Sequence, residues 1–348
     1  MNPWILSQRF DLSFLLLPGF LSVVIVIFGN EFGVSPSHVS PVMWLLLVVL
    51  IDVCHVWSTL FRTYLNKYSN EEFEKELFLI PFAVWVSGTI ICSISSTAFW
   101  TLLAYTAVFH FLKQQVGILK IYCQKSKQLA RSYTWDIFFT YSLMLIPIVY
   151  WHLTPREFHW FTPTDFFKFN TQNIDFLIPP VYLTLILIHL IKEYNFRSDF
   201  NLPKNIHILS TGLVWFFGII YYNNDWTFTL TNVVHHGIPY FALVWASCLR
   251  GDYTTSPRFF QVIFKKKIVI RTMFFLGLLF CLGYGEELLW DIFVWHDNDS
   301  IFPKSFYVEL SDITLVWLVP LLTLPQATHY ILDGVIWKRN RKTKEFAF

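Results

Sequence analysis

Charge is what this chain has least of. Lys, Arg, Asp and Glu make up 14% of its 348 residues, against about 25% in an ordinary soluble domain. With 55% of the residues hydrophobic, a water-soluble globular enzyme is excluded and a polytopic membrane protein is expected. Cysteine is nearly as scarce, with five residues and no CxxC spacing. Cys54, Cys92, Cys248 and Cys281 fall in apolar stretches and Cys123 in a basic loop, so neither a disulfide framework, a zinc ribbon nor a thiol redox motif is supported. There is no internal repeat and no linker, and residues 1–348 read as one helical domain. The first apolar run follows Arg9 with no small-residue cleavage site before it, so it reads as a retained helix and not as a signal peptide.

What is present is length for roughly ten spans of about 20 residues. Hydropathy places them at 12–29, 41–65, 77–94, 98–122, 134–152, 176–195, 207–222, 229–249, 268–290 and 311–337. Of the 26 Lys and Arg residues, all but Arg156, Lys168 and Lys304 fall on one side of that arrangement. That side holds Arg9, the Arg62/Lys67/Lys75 loop, Lys113 to Arg131, Lys192/Arg197/Lys204, Arg250 to Arg271 and the tail from Lys338 to Lys342. Cytoplasmic flanks are enriched in Lys and Arg, so both termini are expected in the cytoplasm and the bias fits a bacterial inner membrane. Anionic headgroups account for the basic runs without any nucleic acid.

Histidine is the unusual polar residue within these spans. His55, His110, His189, the pair His235/His236 and His329 all lie in them, and every span carrying one crosses the bilayer in the same direction. An ionisable group in hydrocarbon costs a few kcal/mol unless partnered, so each is a functional candidate. Three have a polar companion on the same helical stripe. These are Asp52 with His55, His110 with Gln114, and His329 with Asp333. A carboxylate beside a ligating imidazole orients the ring, fixes its tautomer and raises the basicity of the metal-bound nitrogen. His55, His110, His235, His236 and His329 are therefore the candidate metal ligands, and Asp52, Gln114 and Asp333 the candidate catalytic companions.

Adjacent histidines point about 100° apart, so His235 and His236 could both bind one ion only where the helix is distorted. Gly237 and Pro239 supply a cause for distortion. Counted from the outer ends at about 1.5 Å per residue, His55 and His110 lie roughly 20 Å deep, His329 roughly 25 Å and His235/His236 only roughly 10 Å. The pair joins the others only if its helix begins further out. His189, with Glu193 one turn on, is either a further ligand or a hydrogen bond between helices. Glu286 and Glu287 read as interfacial, and His38, His152, His159, His207 and His296 carry no assigned role.

Imidazoles with carboxylates suit iron, zinc or copper, and the lack of Cys or Met at these positions argues against Cu(I) and iron–sulfur chemistry. Fe(II) is the expected cofactor, with Zn or another divalent transition metal as the alternative. A dry site walled by aromatics handicaps hydrolysis and suits oxidation of a hydrophobic or lipid substrate.

Asp52/His55, Phe109-His110-Phe111, Val234-His235-His236 with Leu243-Val244-Trp245, and Pro325/His329/Asp333 together resemble the Brp/Blh family of membrane β-carotene 15,15'-dioxygenases. The resemblance implies an iron centre held by histidines and oxidative chemistry on a polyene or other lipid. Two other classes place polar residues in mid-membrane. A proton-coupled transporter would use intramembrane His and Asp, and a membrane acyltransferase would need one general-base histidine, for which His235 or His236 is the candidate.

Overall fold

A computed structural model describes residues 2–33, 39–65, 74–126, 130–154, 164–169, 175–196, 200–249 and 256–337. Lys67, Arg156, Arg197, Arg250, the tail from Lys338, His38 and His159 lie outside them. Among the described residues the chain is all-helical, with no strand. Its principal helices are α1 (Gln8–Glu31), α2 (Pro41–Arg62), α3 (Glu74–Ile94), α4 (Ser96–Lys125), α5 (Ala130–Leu153), α6 (Ile178–Asn195), α7 (202–221), α8 (225–248), α9 (Arg258–Ile263), α10 (Ile268–Trp295), α11 (Asp312–Leu322) and α12 (Leu324–Ile336).

Helix starts follow capping chemistry. The side chains of Ser7, Ser40, Asn201, Asn224 and Ser311 each accept a backbone N–H in the first turn that follows, which satisfies donors that no intrahelical carbonyl can reach. Among the described residues, six helical stretches are long and apolar enough to cross a membrane: Gln8–Glu31, Pro41–Arg62, Glu74–Ile94, Ser132–Leu153, Ile268–Trp295 and Asp312–Val335. The other four expected spans are also helical, in α4, α6, α7 and α8. Three of these four bear polar groups: His110, Gln114 and Gln115 on α4, His189 and Glu193 on α6, and Asn232, His235 and His236 on α8.

Contacts between Cα atoms divide the chain into two compact units, residues 1–39 with 108–239, and residues 40–107 with 240–348. Both cuts through the middle of the chain fall inside helices, α4 and α8, and not in linkers.

In the first unit α1 packs on α7. A Cβ on Gly19 would collide with Ser210 Oγ and His235 Nδ1, so only glycine permits that approach. Asp11, fully buried, accepts the backbone N–H groups of Ile5 and Leu6 and the Tyr122 hydroxyl. Tyr182 is also fully buried and donates to the carbonyls of Leu143 and Gly212. In the second unit Phe61, Tyr240, Val244, Phe275 and Leu279 form the core. The last turn of α8 is held by two arginines. Arg271 donates to the Cys248 carbonyl and Arg62 to Ser247 Oγ, which places positive charge at the negative end of the helix dipole.

Candidate metal centre

His55 sits on α2 just after a π-helical stretch, Leu45–Val53, a feature that recurs at functional sites. Its ring lies 5.0 Å from that of His329 on α12, at an interplanar angle of 79°. One turn beyond His55, Thr59 Oγ1 is 2.7 Å from His329 Nδ1 and 2.9 Å from the Tyr240 hydroxyl. Tyr240 in turn donates to Asp333 Oδ1 at 2.7 Å.

The proton positions in this chain follow from counting hydrogens. Tyr240 gives its single proton to Asp333, so it can only accept from Thr59, and Thr59, having spent its proton there, can only accept from His329. Nδ1 of His329 therefore carries the hydrogen, and Nε2 is its basic nitrogen.

The expected pairing of carboxylate to imidazole takes a different form here. Asp333 Oδ1 is 3.7 Å from His329 Nδ1, and Asp52 Oδ1 is 3.5 Å from His55 Nδ1. Both exceed the 2.7–3.2 Å of an N–H···O hydrogen bond. The helical spacing does put each pair on one stripe, but the hydroxyls of Thr59 and Tyr240 stand between His329 and its carboxylate.

His110 on α4 and His236 on α8 make a second pair, with ring centroids 4.9 Å apart at 79°. Phe111 stacks on His236 at 3.9 Å and 15°. Pro239 has no N–H, so the His235 carbonyl loses its helical donor, and Gln115 Nε2 lies 3.4 Å from it instead. Gln114 Nε2 donates to the His236 carbonyl at 2.8 Å. The sequence spacing pairs Gln114 with His110; the structure spends its amide on the backbone that carries His236.

The distortion expected around Gly237 and Pro239 lies before the histidines, as π-helical Thr229–Val233. The helical run begins at Asp225, further out than hydropathy places it, and counting from there puts His236 about 16 Å along.

His55 and His329 in one unit, and His110 and His236 in the other, make up a group of four buried histidines; each pair sets two imidazoles close together, and imidazole is a common ligand of transition metals.

His235 is not in this group. Its Nε2 is 3.2 Å from Thr211 Oγ1 and its ring faces His207 at 6.1 Å, as the rotation between adjacent helical residues requires. His189 is placed with Asp136 and Glu193, a second buried group with ligand-type atoms close together. There the cationic role is already filled. Lys192 Nζ lies 2.8 Å from Asp136 and 2.6 Å from Glu193, and Lys204 Nζ 2.9 Å and 3.0 Å from the same two carboxylates. On α10, Glu286 Oε2 accepts from the Trp57 indole at 2.6 Å.

Thr59, Tyr240 and Gln115 are the residues that sequence reasoning missed. Thr59 is four residues after His55 and Tyr240 four after His236, so the stripe rule that found Asp333 would have reached both. No family model, curated protein or solved structure matches the chain.

Proposed function

We propose that His55, His110, His236 and His329 are transition-metal ligands and that the protein is a membrane-embedded non-haem oxygenase of a hydrophobic lipid or polyene substrate. The observation that carries this reading is the pairing of buried imidazoles within each unit, His55 with His329 at 5.0 Å and His110 with His236 at 4.9 Å between ring centroids. Iron is the proposed ion, for nitrogen ligands with no thiolate or thioether among them suit it. Bound there, it would supply the binding and one-electron reduction of dioxygen.

The chain's own residues do the rest. The Thr59–Tyr240–Asp333 chain holds His329 in the tautomer whose Nε2 can ligate. Gln114 and Gln115 fix the kinked backbone that presents His236. Phe111 covers the ring of His236 and keeps water from it. Both termini are proposed to face the cytoplasm, on the segregation of Lys and Arg. The Brp/Blh resemblance supports the same class through the positions Asp52/His55, His110, His236 and His329/Asp333.

The test is elemental analysis by ICP-MS of detergent-purified protein, beside folded His55→Ala/His329→Ala and His110→Ala/His236→Ala variants. Near-stoichiometric iron, lost in both, is the expected result, followed by oxygen uptake with lipid or polyene substrates. Protein purified without chelator that carries no transition metal ends the oxygenase reading.

A further inference from the structure

Tyr240 is 2% exposed, and its ring stands edge-on to two imidazoles, His329 at 5.0 Å and His55 at 5.7 Å between centroids. Its hydroxyl donates to Asp333 Oδ1 at 2.7 Å and accepts from Thr59 Oγ1 at 2.9 Å. All five residues belong to the second unit. The ring therefore touches proposed metal ligands while its O–H rests on a carboxylate.

One-electron oxidation of a phenol needs both contacts. A phenol that loses an electron becomes a strong acid, and a radical cation left in a buried, poorly solvated site is costly. A carboxylate oxygen at 2.7 Å takes the proton with no movement of heavy atoms. The imidazole against the ring is the route for the electron. Tyr182 shows the contrast. It is as deeply buried, but its hydroxyl donates to the backbone carbonyls of Leu143 and Gly212, which are too weakly basic to take a proton.

Trp337, just past the end of α12, is the next aromatic group, with its ring 5.9 Å from that of Tyr240 at 77°. The guanidinium carbon of Arg62 lies 4.7 Å from the Trp337 ring centroid. A cation over an indole face is attracted to its electron density and repels the positive charge that an oxidised indole would carry. Trp337 can pass a hole inwards but is a poor place for one to rest, and the hole settles on Tyr240.

We infer that Tyr240 is a redox-active tyrosine. It gives one electron, through His329, to a transition-metal ion oxidised above its resting state at that histidine; its O–H bond breaks, Asp333 Oδ1 takes the proton and a neutral tyrosyl radical is left. The metal ion is reduced by one electron and the tyrosine oxidised by one. This role rests on metal ligation by His329, and the test keeps the two apart.

The test is electron paramagnetic resonance of the full-length protein carrying β-deuterated tyrosine, which alters the hyperfine splitting of a tyrosyl radical and so identifies it. In one arm the metal-free protein is oxidised by a flash-quenched ruthenium sensitiser, with ascorbate present to quench radicals on exposed side chains. In the other, iron-loaded protein meets dioxygen without substrate and is frozen. A tyrosyl radical is expected in both arms, lost in Tyr240→Phe and kept in Tyr122→Phe, whose hydroxyl donates to Asp11 in the first unit. Asp333→Asn keeps an acceptor oxygen but cannot take the proton, and is expected to lose the radical with Tyr240 still present; it decides where Tyr240→Phe does not fold. A radical that survives Tyr240→Phe or Asp333→Asn, or that fails to form in the metal-free arm, overturns the proposal. A protein that forms the radical in that arm but retains no iron upholds Tyr240 as the oxidisable group and removes the oxygenase reading instead.

Discussion

Replacing Thr59 by valine keeps the volume of the side chain and removes the one oxygen that joins His329 to Tyr240. Thr59 Oγ1 is 2.7 Å from His329 Nδ1 and 2.9 Å from Tyr240 Oη, and all three residues are buried. Valine leaves the Nδ1–H without this acceptor and the phenol oxygen without this donor. A buried polar group that loses its partner costs about 1–3 kcal/mol, so Thr59→Val is expected to lower stability by that order. Its larger signature is in metal affinity. Partners of a ligating imidazole are worth about 10–100-fold in affinity, or about 1.4–2.7 kcal/mol, because the ring must be held in the tautomer that leaves Nε2 basic. Thr59→Ser retains the hydroxyl and is the matched control. The assay is competition against a chromophoric chelator, with the melting temperature of each apo-protein measured alongside. Weakened binding in Thr59→Val, near-normal binding in Thr59→Ser and similar folding of both are expected. A Thr59→Val protein that holds metal as tightly as the wild type refutes the reasoning.

Three further outcomes test other parts of the structure. Lys204→Met removes one of two ammonium groups facing Asp136 and Glu193 and is expected to destabilise by about 3–5 kcal/mol, the cost of stranding a buried charge; a thermal melt within a degree of wild type contradicts this. Gly19→Ala places a methyl against Ser210 and His235 and is expected to cost about 1–3 kcal/mol by overpacking, read in chemical denaturation of detergent-solubilised protein. For topology, a cysteine at Lys304 is expected to react with an impermeant maleimide added outside intact cells, and one at Lys266 only after permeabilisation; reversed labelling inverts the proposed orientation.

The helical class was legible because the apolar runs are continuous over about 20 residues, which suits helices that satisfy their own backbone in a membrane, whereas a barrel would read as shorter alternating segments. Candidate ligands were legible wherever hydropathy marks a span, which is why His55, His110, His235, His236 and His329 could be nominated as histidines within apolar helices. His235 shows the limit of that reading. Adjacency in sequence suggested a shared role, but a helix sends neighbouring side chains about 100° apart, and His235 turns to Thr211 while His236 turns to His110. Local backbone departures were not legible. The π-helical stretches Leu45–Val53 and Thr229–Val233 precede His55 and His235/His236, and neither contains a proline or glycine to announce it. The pairing of carboxylates also escaped, because spacing along one helix says nothing of a hydroxyl arriving from another. Thr59 comes from α2 and Tyr240 from α8, and between them they replace the direct contact of His329 with Asp333.

Among the described residues, buried histidines stand in two kinds of surroundings, and the charge beside them separates the two. Around His189 the two carboxylates are matched by Lys192 and Lys204, so the charge a metal would supply is already supplied by the protein, and an incoming cation would have to displace an ammonium from a low-dielectric site. The pairs His55/His329 and His110/His236 have as neighbours a hydroxyl, a phenol, two amides and loosely spaced carboxylates, and the ring planes cross near 79° within each pair. On the proposed reading, a cation ligated by these imidazoles takes the part that Lys192 and Lys204 play around His189. Removing one imidazole from such a group should therefore stabilise the apo-protein or leave it unchanged while weakening the metal-bound form, since binding to the native state alone adds RT ln(1 + [M]/Kd) to stability. His110→Phe, measured by thermal melt with and without added Fe(II) under anaerobic conditions, reads both terms, and a variant that loses stability equally with and without the ion would make the histidines packing residues.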